Sequence, residues 1–257
     1  MIGIGIGIPP KIRGGFNPNS IPGLGFWLES DYGITKDGSN AVSEWADRST
    51  NGYALSQATG ANQPIWTANE YGNMPGIIFD GTNDSLSRNV ANPFGSVQNF
   101  TCFIVLKARI NDDVESIFSL DDVATDSNSW FLTKRALAQG NAFSTNNVLG
   151  GTNNIVYGNT VINDNLPHCC ISESNGSTWT ERTDRIDQTL TTIGSNTGQA
   201  PGDFAVLDNI NLGLLNRLTK SNFYSNLAAV LLYTSQLSTS DRTKVENYLI
   251  NKYGVSA

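Results

Sequence analysis

The chain is poor in charge, in sulfur and in histidine. Of its 257 residues only 15% are charged, three are cysteine and one is histidine. Its 16 basic residues are nowhere clustered, and against 23 acidic ones they leave a formal charge of −7. Phosphate backbones are held by concentrated positive charge, so no nucleic acid is expected as a partner, and an anionic membrane surface is disfavoured likewise. No run of about 18 apolar residues occurs, the length a bilayer-crossing helix needs, so no membrane partner is expected. Cys102, Cys169 and Cys170 are an odd set without C-x-x-C spacing, which argues against a disulfide framework or a zinc site. Neighbouring side chains of a strand point to opposite faces, so Cys169 and Cys170 cannot easily clasp one metal. They read as buried thiols of a protein that does not depend on an oxidising compartment. The lone His168 supports no Ser/His/Asp set.

Small polar residues stand where charge is missing. The chain holds 30 Asn, 25 Gly and 9 Pro, turn formers spread along its whole length. Between them lie more than ten short apolar runs, among them Phe26 to Glu29, Gly76 to Phe79, Ser116 to Leu120, Trp130 to Lys134, Ile155 to Val161, Asn209 to Leu214 and Leu227 to Tyr233. Many short strands joined by Asn/Gly turns predict an all-β, two-sheet antiparallel sandwich. Phe100 to Ala108 is apolar on both faces, as a central strand requires. One helix is expected near the C-terminus. Ser238 and Asp241 form a capping pair, Val245, Leu249 and Tyr253 form a stripe beside Tyr248, and Gly254 closes it. It is expected on the edge or end of the sandwich.

Residues 1–10, MIGIGIGIPP, lack a basic region and end in Pro-Pro, so they do not read as a secretion signal. Ile2, Ile4, Ile6 and Ile8 share one face of an extended segment whose other face is bare glycine. Such a ribbon suits a strand added to the edge of another sheet, in this chain or a neighbour; an ordinary first strand is the equal alternative. Lys11 to Pro22 reads as a linker. The organisation expected is residues 1–21 as an extended N-terminal arm and linker, and 22–257 as one sandwich domain.

Three ordered segments carry a resemblance. The first is Trp45-Ala-Asp47-Arg-Ser-Thr-Asn51-Gly52-Tyr-Ala-Leu55-Ser-Gln57 with Gln63-Pro64 after it. The second is Gly76-Ile-Ile-Phe79-Asp80-Gly81-Thr-Asn83-Asp84-Ser-Leu86. The third runs from Leu227-Ala-Ala-Val-Leu-Leu-Tyr233 through Leu237, Asp241, Glu246 and Tyr248 to Gly254. Together they resemble the concanavalin A-like lectin/glucanase superfamily, in its laminin-G-like branch found in tailed-bacteriophage structural proteins and bacterial surface proteins. The resemblance implies a jelly-roll sandwich and a mainly architectural turn at Asp80 to Asp84, with Trp45 as a packing residue.

The candidate sites divide by chemistry. Asp47-x-Ser49-x-Asn51-Gly52 matches the first half of a calcium loop, but Ala58 stands where the bidentate Glu belongs, so a turn is favoured. Asp112, Asp113, Glu115, Asp121, Asp122 and Asp126 add oxygens around one hairpin; such clusters are usually solvated. Calcium occurs in parts of the superfamily and is the one ion the resemblance leaves open; no other cofactor is expected. Glycan-hydrolysing members carry an E-x-D-x-x-E strand. Here Glu29-Ser-Asp31 is followed by Ile34 in place of the second Glu, and Glu181 to Asp184 has the wrong interval. A sugar-binding surface needs an exposed aromatic ringed by polar groups. Trp66, Trp130, Trp179 and Tyr157 are the candidates, with Asp126, Asn128, Asn146 and Asn153 as polar partners.

The expectation is a non-enzymatic virion structural protein of a tailed bacteriophage, a capsid decoration or tail component made in the host cytoplasm. Its lectin-like sandwich would face outward with weak glycan adhesion. Its isoleucine arm would dock other virion proteins or further copies in a homo-oligomer. A dedicated carbohydrate-recognition module is the alternative, and a polysaccharide-degrading enzyme the third.

Overall fold

The computed structural model describes residues 15–125, 127–204, 206–215 and 221–256. Two antiparallel sheets are stacked face to face, with one helix on the outside. The eight-stranded sheet runs β15 (Ile186–Asp187), β14 (Trp179–Thr183), β13 (His168–Ser174), β8 (Phe100–Ala108) and β20 (Ser225–Tyr233). It continues through β6 (Met74–Ile78) to β5 (Ile65–Tyr71), and β1 (Leu24–Glu29) pairs with β20. The ten-stranded sheet begins with β16 (Thr191–Ile193), β12 (Thr152–Val161), β11 (Ala142–Leu149), β10 (Asn128–Lys134) and β9 (Glu115–Asp121). It ends with β17 (Asn209–Leu212), β7 (Leu86–Asn89), β4 (Leu55–Ser56), β3 (Val42–Trp45) and β2 (Ile34–Lys36). A short hairpin pairs β18 (Leu214–Leu215) with β19 (Ser221–Asn222). The expected sandwich is present, and Phe100–Ala108 is a central strand between β13 and β20.

Alternation along β8 explains its all-apolar sequence. Cys102, Ile104 and Leu106 enter the core between the sheets, with Phe26, Trp45, Phe79, Phe118 and Trp130. Phe103 and Val105 point the other way, into a second core with Trp27, Ile171, Leu231 and Tyr233. Helix α1 (Thr239–Tyr253) closes that second core with Val245, Leu249 and Tyr253. The helix therefore covers the outer face of the eight-stranded sheet, not its edge or end. The reason is that this face is itself apolar and needs a cover. Its caps are those read from the sequence: Ser238 Oγ accepts from Asp241 N at 3.1 Å, and Gly254 takes φ 65°. Cys169 and Cys170 lie in the two different cores, and all three cysteines are buried free thiols.

The sequence reading passes over β2, β3, β5 and β11. The strand expected over Asn209 to Leu214 breaks at Gly213, which takes φ 79°; a Cβ there would come within 2.4 Å of the Phe79 ring. The described part of the expected linker is packed. Pro18 and Ile21 are buried, Tyr233 Oη donates to Pro18 O at 3.0 Å, and Phe16 meets Tyr248 at 5.8 Å. The arm residues Ile2, Ile4, Ile6 and Ile8 lie outside the described residues. Among those described, no helix is long and apolar enough to cross a membrane.

Candidate functional site

The two sheets differ in what covers their outer faces. The eight-stranded sheet has the helix, whereas the ten-stranded sheet turns a polar face outward. Trp130, Leu132, Phe118, Leu120, Ile210 and Leu212 take its inward positions, so the residues between them point away from the core. Cross-strand register arranges these in rows. One row reads Asn89, Asn209, Asp121, Ser129, Val148, Asn153. The next reads Ser87, Asn211, Ser119, Phe131, Asn146, Ile155. A third reads Ser116, Thr133, Ser144, Tyr157, Thr191.

Hydrogen bonds knit part of this face. Asp121 Oδ2 accepts from Ser119 Oγ at 2.7 Å and from Asn211 Nδ2 at 2.9 Å. Asn146 Nδ2 donates to Ser144 Oγ at 2.9 Å and Thr133 Oγ1 at 3.1 Å. The β18–β19 hairpin covers the β9–β10 side, where Leu215 packs with Phe131 and Val148 and Leu214 O accepts from Ser119 Oγ at 3.0 Å. The β12–β16 side stays open: Asn153 and Thr191 are exposed, and Ile155 and Tyr157 are half-buried. Among the described residues, five buried oxygens on this face have no partner: Ser116 Oγ, Ser129 Oγ, Asn146 Oδ1, Asn209 Oδ1 and Asn211 Oδ1. Each such orphan costs roughly 1–3 kcal/mol, and a native fold keeps only a few unless something else satisfies them.

Of the aromatics read from the sequence as sugar platforms, only Tyr157 lies on this face. Trp130 and Trp179 are wholly buried and cannot stack on a sugar. Trp130 sits between Phe100 at 4.9 Å and Phe118 at 6.1 Å; Trp179 Nε1 donates to Gln199 O at 2.9 Å. Both occupy inward positions because a large ring gains most from being removed from water. Trp66 is half-buried on β5 of the other sheet, where its Nε1 donates to Ser30 O at 3.1 Å and Lys36 Nζ lies 4.5 Å from its ring. Asn146 lies in the row next to Tyr157 but is wholly buried, and Asn153 lies two rows away on the same strand. Asn128 falls at the start of β10, where its Oδ1 accepts from Gly150 N at 3.5 Å; it supports the β10–β11 turn. Asp126 lies outside the described residues. The Asn/Ser rows were missed because polar residues on a strand read as solvated until their register is known.

The acidic candidates serve the fold. Asp47 Oδ1 accepts from Trp27 N and Ser49 N, and its Oδ2 from Tyr53 N, at 2.8–2.9 Å, which is a turn. Asp80 Oδ1 caps Thr82 N and Asn83 N, while burial pushes the pKa of Asp84 up to about 6. Glu29 is buried against Arg48, Tyr248 and Lys252. Glu115 pairs with the buried Lys134, 3.7 Å away. Glu181 is buried and accepts from Thr145 Oγ1 at 2.8 Å, and burial pushes its pKa well above the usual carboxylate range. Among the described residues no three His, Cys, Asp or Glu side chains gather as a metal site would require.

No protein-family model matches the chain, and no curated protein matches it. Solved structures do resemble it in fold. A Ruminococcus gnavus IT-sialidase CBM40 is similar with a TM-score of 0.52 at 13% identity, over 66% of this chain and 96% of that one. The same module bound to alpha2,3 sialyllactose has a TM-score of 0.52 at 14% identity, over 66% and 95%. Trypanosoma rangeli sialidase in complex with sialic acid has a TM-score of 0.58 at 13% identity, over 92% of this chain but only 34% of that one. At these identities the likeness is one of fold.

Proposed function

We propose that this chain is a non-enzymatic, glycan-binding sandwich of the concanavalin A-like, laminin-G-like kind, carried on a bacteriophage particle by its amino-terminal arm. The polar outward face of the ten-stranded sheet carries the reading. A glycan brings many hydroxyls, and the open β12–β16 side of this face sets the half-exposed Tyr157 opposite the exposed Thr191, with the exposed Asn153 on the same strand. Tyr157 supplies the flat apolar surface for a sugar ring, the exposed Thr191 opposite it supplies a polar partner, and Asn153 extends the surface four residues along the strand. The R. gnavus module, whose structure was solved with sialyllactose, is similar in fold across nearly its whole length. Asp121 is the single carboxylate in the three rows, and it is bonded to Ser119 and Asn211. Glycoside hydrolysis ordinarily takes two carboxylates across one bond, which supports binding without cleavage.

A glycan array and titration calorimetry test this. The wild type should bind at least one glycan class. Tyr157→Ala should weaken that binding about tenfold, the loss expected for a stacking contact of roughly 1.5 kcal/mol. Trp66→Ala, on the other sheet, should leave it unchanged. A silent array, or a Tyr157→Ala protein that binds like the wild type, refutes the assignment.

A further inference from the structure

We propose that the glycan taken by this face carries an anionic group, a carboxylate or a sulfate ester, that pairs with Arg135. The inference rests on the glycan-binding reading and deepens it. Arg135 follows β10 directly, and its amide N donates to Ala142 O at 2.8 Å, so the ladder with β11 continues through it. Thr133 faces outward and Lys134 inward; alternation therefore sets Arg135 outward, just beyond the row of Thr133, Ser144 and Tyr157. Its partner Ala142 stands two residues along β11 from Ser144, which faces Tyr157.

Among the described residues its guanidinium has no counterpart. Nε is buried without a hydrogen-bond partner, and the side chain forms no ion pair among the described residues. The other described arginines are all engaged. Arg48 pairs with Glu29, Arg182 with Glu246 and Arg242 with Glu173. Arg185 donates to Asn247, Arg88 to Gly52 O, and Arg109 lies over the Tyr224 ring. In a chain with 23 acidic residues against 16 basic ones, a half-buried arginine without an acid is conspicuous. Taking a guanidinium partly out of water is costly unless a carboxylate or similar anion faces it. A planar fork of donors fits a two-oxygen anion better than it fits hydroxyls. Arg135 thus lies at the end of β10, one position beyond the row in which Tyr157 stands two strands away, with no described residue bonded to its guanidinium.

An array of neutral glycans and their carboxylated and sulfated derivatives tests the inference. Wild-type protein should bind acidic glycans at least tenfold more tightly than the neutral parents, and added salt should narrow that gap. Arg135→Gln should reduce acidic glycans to the level of their neutral parents without lowering Tm, and Arg135→Lys should keep part of the preference. The carboxylated and sulfated arms report which anion is taken. Equal binding of neutral and acidic glycans, or a preference that survives Arg135→Gln, overturns the role of Arg135 and leaves glycan binding standing. An array silent to every glycan overturns both.

Discussion

His168 shows how one residue is read differently once its neighbours are known. In the sequence it is a lone imidazole without a catalytic set. In the structure Nδ1 lies 2.6 Å from Asp184 Oδ2 and Nε2 lies 3.0 Å from Asp164 Oδ1. Burial opposes a charge on the ring, but the bonds and charges of Asp184 and then Asp164 outweigh it and raise the pKa. A histidine whose folded pKa is raised contributes stability that is complete below its ordinary value of 6.5 and is lost as pH rises through the folded pKa. His168→Gln should therefore lower Tm by several degrees below pH 6.5, and the gap to wild type should shrink at higher pH. A gap constant across that range, in thermal melts, would refute this. Trp130 and Trp179 make the same point, because a tryptophan on a strand reads alike whether its side of the strand meets core or water.

At the scale of elements, the helix was legible because all its signals are local. Ser238, the stripe at Val245, Leu249 and Tyr253, and Gly254 lie within 17 consecutive residues. What it packs on was not legible, since that depends on β8, β13 and β20, distant in the chain. Glu246 ties the helix to the sheet: buried, it accepts from Arg182 Nε at 3.0 Å and from Arg185 N at 3.0 Å. Glu246→Ala removes the acceptor shared by Arg182 Nε and Arg185 N, leaving Arg182 with Asp187 alone, and should cost about 3 kcal/mol in urea denaturation. A loss below roughly 0.5 kcal/mol would place this pair among ordinary surface contacts. Strand β11 escaped notice for the opposite reason. Its sequence, AFSTNNVL, has weak β-propensity, and only pairing with β10 on one side and β12 on the other holds it extended.

For the whole molecule, the described residues form two cores among themselves, and the docking proposed for residues 1–10 is tested by removing them. If the proposed docking holds, deleting those residues should abolish incorporation into the particle. A truncated protein that still joins the particle normally refutes the docking proposed for Ile2, Ile4, Ile6 and Ile8.

The sequence by itself determined the stacked antiparallel layers, the capped helix and the Asp80 to Asp84 turn, because periodicity and turn chemistry act over a few residues. Only the tertiary structure decided which face of the ten-stranded sheet is left polar, that Trp130 and Trp179 are core, and that Arg135 has no acid paired with it among the described residues. Alternation says that a strand has two unlike faces; only the packing of strands far apart in the chain decides which of them meets a partner and which is left open to water.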